Sequence, residues 1–254
     1  MRDDLETTLI DAAALTDSGK SKLAGEIYSI YSELFRGWTE NRLAEALFDE
    51  KDSGCKAAIF RKNGVIVGFA WIKSREVVYA GKKITVFNNV GGIRSEYRKN
   101  GLITGFFRRT LMTYRFAHPF RTVYCFQRLI HRSSYRAWAN ALDEFYPCCL
   151  WPTPQGIATL VCELNCAFGY LPVSEDDPFV VATDNHTKEE AASKKGGETG
   201  ESNEEFFLKK TGGGKNLAMV MLFPCTHKNI ILSFLKILVK MIRPLKKSRS
   251  FAVN

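Results

Sequence analysis

Apolar residues at Leu23, Ile27, Ile30, Tyr31 and Leu34 recur at helical spacing. Leu43, Ala44, Leu47 and Phe48 do the same behind Thr39, a natural N-cap. Ahead of both, "TTLIDAAAL" suits a short first strand. The period then shortens. "KAAIFRK" and "VIVGFAWIKSREVVY" are strand-like runs joined by Asn63-Gly64, the strongest short hairpin signal. Ala80-Gly81-Lys82 turns the chain into "KITVFNNVGGI", ending at Ile93, which is apolar enough for a buried strand.

Helical spacing returns after Gly101, where Leu102, Ile103, Phe106, Phe107, Leu111 and Met112 share one face and Arg108, Arg109 and Arg115 lie off it. "RTVYCFQ" (121–127) reads as another buried strand and "SSYRAWANALDEF" (133–145) as a helix. Thr153-Pro154 reads as an N-cap followed by a first-turn proline. The helix it opens carries Ile157, Leu160, Val161, Leu164 and Phe168 and stops at Gly169. "FVVAT", "FFLKK" and "AMVMLF" predict late strands, the last two joined by "TGGGKN" as a hairpin loop. Residues 184–205 are polar and low in complexity, which predicts a disordered insertion. Strands and helices therefore mix in one α/β (α+β) domain over 1–226, with no internal repeat.

Composition adds a sign. The chain of 254 residues carries a net charge of +9, which favours an anionic partner. Seven cysteines, at 55, 125, 148, 149, 162, 166 and 225, form no CxxC pair and no zinc pattern, so no metal is expected. With no recognisable signal peptide, reduced thiols predict a cytoplasmic protein. The basic residues have no interleaved aromatic platform, which argues against nucleic acid.

The phosphate-binding candidates narrow to one. "TGGGKN" lacks P-loop spacing, and there is no GxGxxG behind a first strand, no GxSxG and no HExxH. What remains is Arg98-Lys99-Asn100-Gly101 between a buried strand and an amphipathic helix. Helix-start amides and the helix dipole suit an anion there, and glycine allows close approach.

This stretch, Arg98-Lys99-Asn100-Gly101-Leu102-Ile103 behind "IRSEY", resembles the [Q/R]-x-x-G-x-[G/A] signature of the GNAT superfamily, the acyl-CoA-dependent N-acyltransferases. The last position holds Ile103 where the family pattern has a small residue. Together with the hairpin, "VGFAWI" and the element order over about residues 20–130, the resemblance implies a central mixed, mostly antiparallel sheet flanked by helices. It also implies transfer of an acyl group, acetyl by expectation, from acetyl-CoA to the amine of a small molecule or a protein. The turn (Arg98 to Ile103, with Thr104) would hold the pyrophosphate. Gly91, Gly92 and Ile93 would pair with the pantetheine arm. A GNAT-like module that binds without catalysis is the alternative.

Family members often place a glutamate on the fourth or fifth strand; here the fourth offers Asn88 and Asn89. His131 as base and Tyr135 as acid are the candidates from side-chain chemistry, against loop and packing roles for the same pair. The Phe168-Gly169-Tyr170 ending resembles that of the family's fourth helix, which would make 131–153 an insertion near the acceptor.

Residues 227–254 predict a basic amphipathic helix and tail. Asn229, Ser233, Lys236, Lys240, Arg243 and Lys247 form a polar stripe; the remaining arc from Ile230 to Ile242 is apolar and too short to span a bilayer. Two fates are open for it: peripheral contact with an anionic membrane through 229–249, or packing of the arc on the domain or on a second copy in a homodimer.

Overall fold

The computed structural model describes residues 5–98, 101–188, 202–214, 216–233 and 235–236. A seven-stranded sheet forms the centre. Its strands are β1 (Leu5–Asp11), β3 (Gly54–Lys62), β4 (Val65–Tyr79), β5 (Lys82–Ile93), β6 (Thr122–Leu129), β7 (Val180–Ala182) and β9 (Leu217–Pro224), ordered β1-β3-β4-β5-β6-β9-β7. A two-stranded ribbon pairs β2 (Phe35–Arg36) with β8 (His186–Thr187). All neighbours in the large sheet are antiparallel except β5 and β6. That parallel ladder is short: it runs from Ile84↔Thr122 to Phe87↔Cys125 and stops. Beyond Phe87 the two strands part.

Helices cover both faces. α1 (Asp17–Leu34) and α2 (Glu40–Leu47) start at Thr16 and Thr39, whose hydroxyls accept from the amides of Gly19 and Arg42. Their apolar stripes meet Ala57, Ile59, Phe69 and Trp71 on one face of the sheet. α3 (Leu102–Ala117), α4 (Arg132–Ala139) and α6 (Asn203–Thr211) pack on the other, where Phe107, Leu111, Tyr135 and Phe207 meet Cys125, Leu129, Met219 and Met221. α5 (Gln155–Phe168) lies with Phe126, Val220 and Leu222. Since successive strand residues face opposite ways, α5 is on the face opposite α3 and α4. Each fully buried large apolar side chain in these layers contributes about 1.5–3 kcal/mol.

The architecture is the mixed, mostly antiparallel sheet with flanking helices that the sequence predicts, with several local corrections. "FFLKK" lies in helix α6, whose start is a capping box between Ser202 and Glu205; the run packs by helical spacing once Phe207 finds the core. "TGGGKN" is therefore no hairpin: Gly212, at φ 60°, closes α6 ahead of β9. The helix expected over 133–145 ends at Ala139. Pro154 takes the N-cap position itself, and no side chain caps α5. Of the expected insertion, 189–201 lies outside the described residues, but its flanks are structured: β8 precedes it and α6 follows.

A final helix opens at residue 227. The Thr226 hydroxyl accepts from the Asn229 amide at 3.1 Å. Of its polar stripe, Asn229 and Ser233 are buried and Lys236 reaches back to the domain. Asn229 Oδ1 accepts from the amides of Asp143 and Glu144 at 2.9 and 3.2 Å, its Nδ2 donates to the Glu144 carbonyl at 2.8 Å, and Lys236 Nζ donates to the Leu142 carbonyl at 2.5 Å. Residues 237–254 of the expected helix and tail lie outside the described residues.

Candidate functional site

Where β5 and β6 part, a cleft of about 970 Å³ passes through the sheet. Asn88 sits at its apex, its Nδ2 donating to the Phe126 carbonyl across the gap at 2.7 Å and to the Tyr170 hydroxyl at 3.1 Å. One residue on, the Asn89 amide donates to Gln127 Oε1 at 3.3 Å, so a side chain stands in for the missing strand partner. Past this point the β6-facing backbone of β5, through Gly91, Gly92 and Ile93, has no ladder partner on β6. Gly92 is needed for another reason: a Cβ there would stand 2.8 Å from Leu34 and Phe35, which close over the strand.

On the α3 face the cleft is lined by Arg98, Ile103, Thr104, Phe107, His131 and Ser133. Gly101 is the N-cap of α3 at φ 70° and ψ 12°, with no side-chain cap. The amides of Leu102, Ile103 and Thr104 thus begin the helix without intrahelical acceptors, while Thr104 Oγ1 turns back to the Gly101 carbonyl at 3.3 Å. Ile103, the departure from the family pattern, leans on Gly91: a Cβ on that glycine would lie 3.1 Å from Ile103 Cγ2. Its bulk is taken up against the strand. Lys99 and Asn100 of the predicted turn lie outside the described residues.

The opposite face carries Trp38, Arg42, Glu45, Asp49, Lys73, Arg75, Arg128, Phe168 and Tyr170. Here Arg128 lies between Trp38 and Tyr170, its guanidinium carbon 5.2 and 5.0 Å from their ring centres. Trp38 is fixed by its Nε1 donating to Asp184 at 2.7 Å. Below them is a buried charge network. Asp52 accepts from Arg75 at 2.9 Å and Lys73 at 2.7 Å, and Arg75 also reaches Asp49 at 2.6 Å. Arg75 donates as well to the Ala167 carbonyl at the end of α5 and lies over Phe168.

The two predicted catalytic side chains part company. Tyr135 is fully buried among Phe145, Phe206 and Phe207, and its hydroxyl donates to the Pro147 carbonyl at 2.9 Å, so it packs α4 and does not line the cleft. His131 does line the cleft, but on the α3 face beside Arg98, and it caps α4 by accepting the Ser133 amide at Nδ1 (3.1 Å). Burial, then the Arg132 charge, holds its imidazole below the ordinary value of 6.5. A depressed histidine binds protons more readily when unfolded, so its share of stability is present above pH 6.5 and lost as pH falls through 6.5 toward the lower folded value. His131→Asn, which can still cap the helix, is expected to flatten the loss of thermal stability between pH 7 and 5; an unchanged slope would assign the acid sensitivity elsewhere.

Gln127 and Arg128 carry no sequence signal, whereas Asn88 stands on the strand where the family often has a glutamate, and the Phe168-Gly169 ending carries Tyr170. The helix it follows, α5, is on the face opposite α3, while α4 shares the α3 layer. The 131–153 segment holds α4 on the α3 layer, and Tyr170, just after α5, reaches Asn88 at the cleft.

The strand order, one parallel pair that splays, and an uncapped glycine turn heading α3 beside the splay make this a GNAT-like fold. No family model and no curated protein matches the sequence. Among solved structures, a probable N-acyltransferase from Enterococcus faecalis V583 is similar at 11% identity and TM-score 0.36 over 52% of this chain, which spans 32% of that one. A ribosomal-protein-alanine N-acetyltransferase from Brucella melitensis biovar Abortus 2308 is similar at 12% identity and TM-score 0.36, covering 59% of this chain and 96% of that one. Arabidopsis thaliana NAA60, in complex with acetyl-CoA, is similar at 11% identity and TM-score 0.37 over 87% and 98%.

Proposed function

We propose that this chain is an acyl-CoA-dependent N-acyltransferase, moving acetyl from acetyl-CoA to an amine. The observation that carries the reading is a cleft open on both faces of the sheet, with an anion-accepting helix start on one face and an aromatic and charged pocket on the other. The α3 face would take the donor. The first-turn amides of α3 with Arg98 and Thr104 suit a pyrophosphate, with Lys99 and Asn100 supplying the rest of the turn by sequence. The unpaired edge at Gly91, Gly92 and Ile93 suits an extended amide chain. The acceptor would enter from the face of Trp38 and Arg128.

Acyl transfer needs a neutral amine and a proton for the departing sulfur. Arg128 does the first electrostatically: a fixed cation beside an ammonium disfavours its charged form and lowers its pKa. Tyr170 does the second. Its oxygen accepts from Asn88 at 3.1 Å, which leaves the phenolic proton to be given to sulfur as the C–S bond breaks, and the proton that the acylated nitrogen sheds restores the phenol. His131 remains on the donor side, and Tyr135 has no part in the chemistry. Tyr170→Phe is expected to lower kcat roughly 100-fold with little change in KM for acetyl-CoA; an unchanged kcat would remove Tyr170 from the mechanism.

The direct test is a thermal shift with coenzyme A and acetyl-CoA, followed by thiol release across a panel of amines. Ligand at about 100 times Kd contributes about 2.7 kcal/mol. The absence of a carboxylate on β5 favours, as second reading, a module that binds acyl-CoA without turnover. A shift without thiol release on any amine would support it, and no shift at millimolar ligand would end both readings.

A further inference from the structure

Building on the acyltransferase reading above, we propose that the acceptor is an amino carboxylate, an amine that also bears a carboxyl group, and that Arg128 selects it by holding that carboxyl. Strand alternation sends Arg128 to the α5 face of the sheet: Phe126 packs with α5, whereas Cys125 and Leu129 lie in the α3 layer. There its guanidinium enters a slot between the rings of Trp38 and Tyr170. Both walls are fixed from behind. Trp38 stacks on the fully buried Tyr31, ring centres 6.0 Å apart at 18°, and Tyr170 stacks on Phe126 at 5.7 Å. Ring faces attract the charge but leave the N–H groups of the planar fork to find oxygen elsewhere. Among the described residues no oxygen accepts from them.

The charge balance of this face gives the class of acceptor. Its acids are already engaged: Glu45 meets Arg42 at 3.2 Å and Asp49 meets Arg75 at 2.6 Å. Lys73 and Arg75 both meet Asp52. Asp184 accepts from Trp38 Nε1 and makes no ion pair with Arg128. Among the described residues lining this face, Arg128 is thus the cation without a carboxylate. A polyamine would find every acid taken, whereas an acceptor with one negative charge completes the balance. A carboxylate matches a single guanidinium fork with two parallel N–H···O bonds; a phosphate dianion would call for a second cation.

The same contact serves the chemistry. In a free amino acid the carboxylate helps to hold the proton on the amine. Pairing that carboxylate with Arg128 cancels the attraction and lets the amine become neutral more readily. Tyr170 is one wall of the slot and also reaches Asn88 at the apex of the splay, so a carboxylate on Arg128 keeps its amine near the reacting centre. Transfer would form the C–N bond and break the C–S bond, giving an N-acetylated acid and coenzyme A.

Thiol release from acetyl-CoA would be followed with glycine, β-alanine and γ-aminobutyrate, each beside its uncharged primary amide, and with O-phosphoethanolamine. Wild type is expected to show a kcat/KM at least about tenfold higher for at least one acid than for its amide, expressed mainly in KM. Arg128→Gln is expected to bring that ratio close to one. The ratio is decisive, since losing the effect of Arg128 on amine protonation lowers acid and amide together. Arg128→Lys, with the charge but not the fork, should fall between. A thermal shift with coenzyme A matching that of wild type shows that each variant is folded with its donor face intact. Calorimetric titration of the acids and amides into protein saturated with coenzyme A reads the same preference without turnover. Amides or O-phosphoethanolamine used as well as the acids, or a ratio unmoved in folded Arg128→Gln, would overturn the proposal and leave the acyltransferase standing. Absence of acid preference in both assays would overturn it too. Acid-selective binding that Arg128→Gln abolishes, with no thiol release on any amine, would support the carboxylate site and end the acyl-transfer reading.

Discussion

Asp52→Ala is expected to destabilise the protein by about 3–5 kcal/mol, the cost of leaving buried charge without its partner. The Asp52 side chain is 4% exposed, and among the described residues it is the carboxylate that both Lys73 and Arg75 meet, themselves 11% and 5% exposed. Without it Lys73 loses its carboxylate, and Arg75 keeps Asp49, the Ala167 carbonyl and the Phe168 ring. In a domain of this size the melting temperature should fall by roughly 10 °C or more. Replacing the fully exposed Asp17, paired to Lys20 at 3.5 Å, should cost less than about 1 kcal/mol. Thermal unfolding of the two variants side by side makes the comparison. A loss at Asp52 no larger than that at Asp17 would show that water reaches the network. Because the same charges tie the end of α2, β4 and the end of α5 together, acceptor-side activity should fall with stability.

Gly101→Val is expected to weaken coenzyme A binding at least about tenfold while the domain stays folded. Space is not the constraint: the nearest atom to a Cβ there is Thr104 Oγ1 at 3.9 Å. Conformation is. At φ 70° a β-branched residue costs more than the roughly 1–2 kcal/mol that left-handed backbone imposes on an ordinary one. The turn is expected to relax toward negative φ, swinging the first amides of α3 away from the cleft. Calorimetric titration gives the affinity, and thermal unfolding in the absence of ligand gives the cost to the fold. Gly101→Ala, with the milder penalty, should fall between wild type and Val. Wild-type affinity in a folded Gly101→Val would place the phosphates elsewhere.

The hairpin Asn63-Gly64, the buried run through Ile93, the glycine turn and α3 were all legible in the sequence, because each is decided by neighbours a few residues apart. Two-residue turns demand particular residues, and burial of one face imposes a period of two or of 3.6. The same local rules misread "FFLKK". Five residues carry too little period to separate strand from helix, and the choice fell to Phe207 reaching the core under α4.

The site divides in the same way. Gly91, Gly92 and Gly101 announce themselves, since glycine at a strand end or helix start has a backbone reason. Tyr135 and His131 looked equally chemical on paper, four residues apart. Only packing separates them, because α4 turns the phenol into the core and leaves the imidazole on the cleft. Asn88, Gln127, Arg128 and Tyr170 meet across separations of up to 82 residues, where no local pattern reaches.

The sequence by itself determined the alternation of elements, the anion-suited turn and the amphipathic C-terminal helix, all consequences of periodicity and backbone preference. The tertiary structure decided which way that helix faces. Asn229 and Lys236 satisfy the backbone of 142–144, since buried amides and carbonyls must find partners and apolar side chains cannot supply them. It also decided where β5 and β6 separate, since the ladder ends only where Asn88 and Gln127 take over the hydrogen bonds that the backbone gives up.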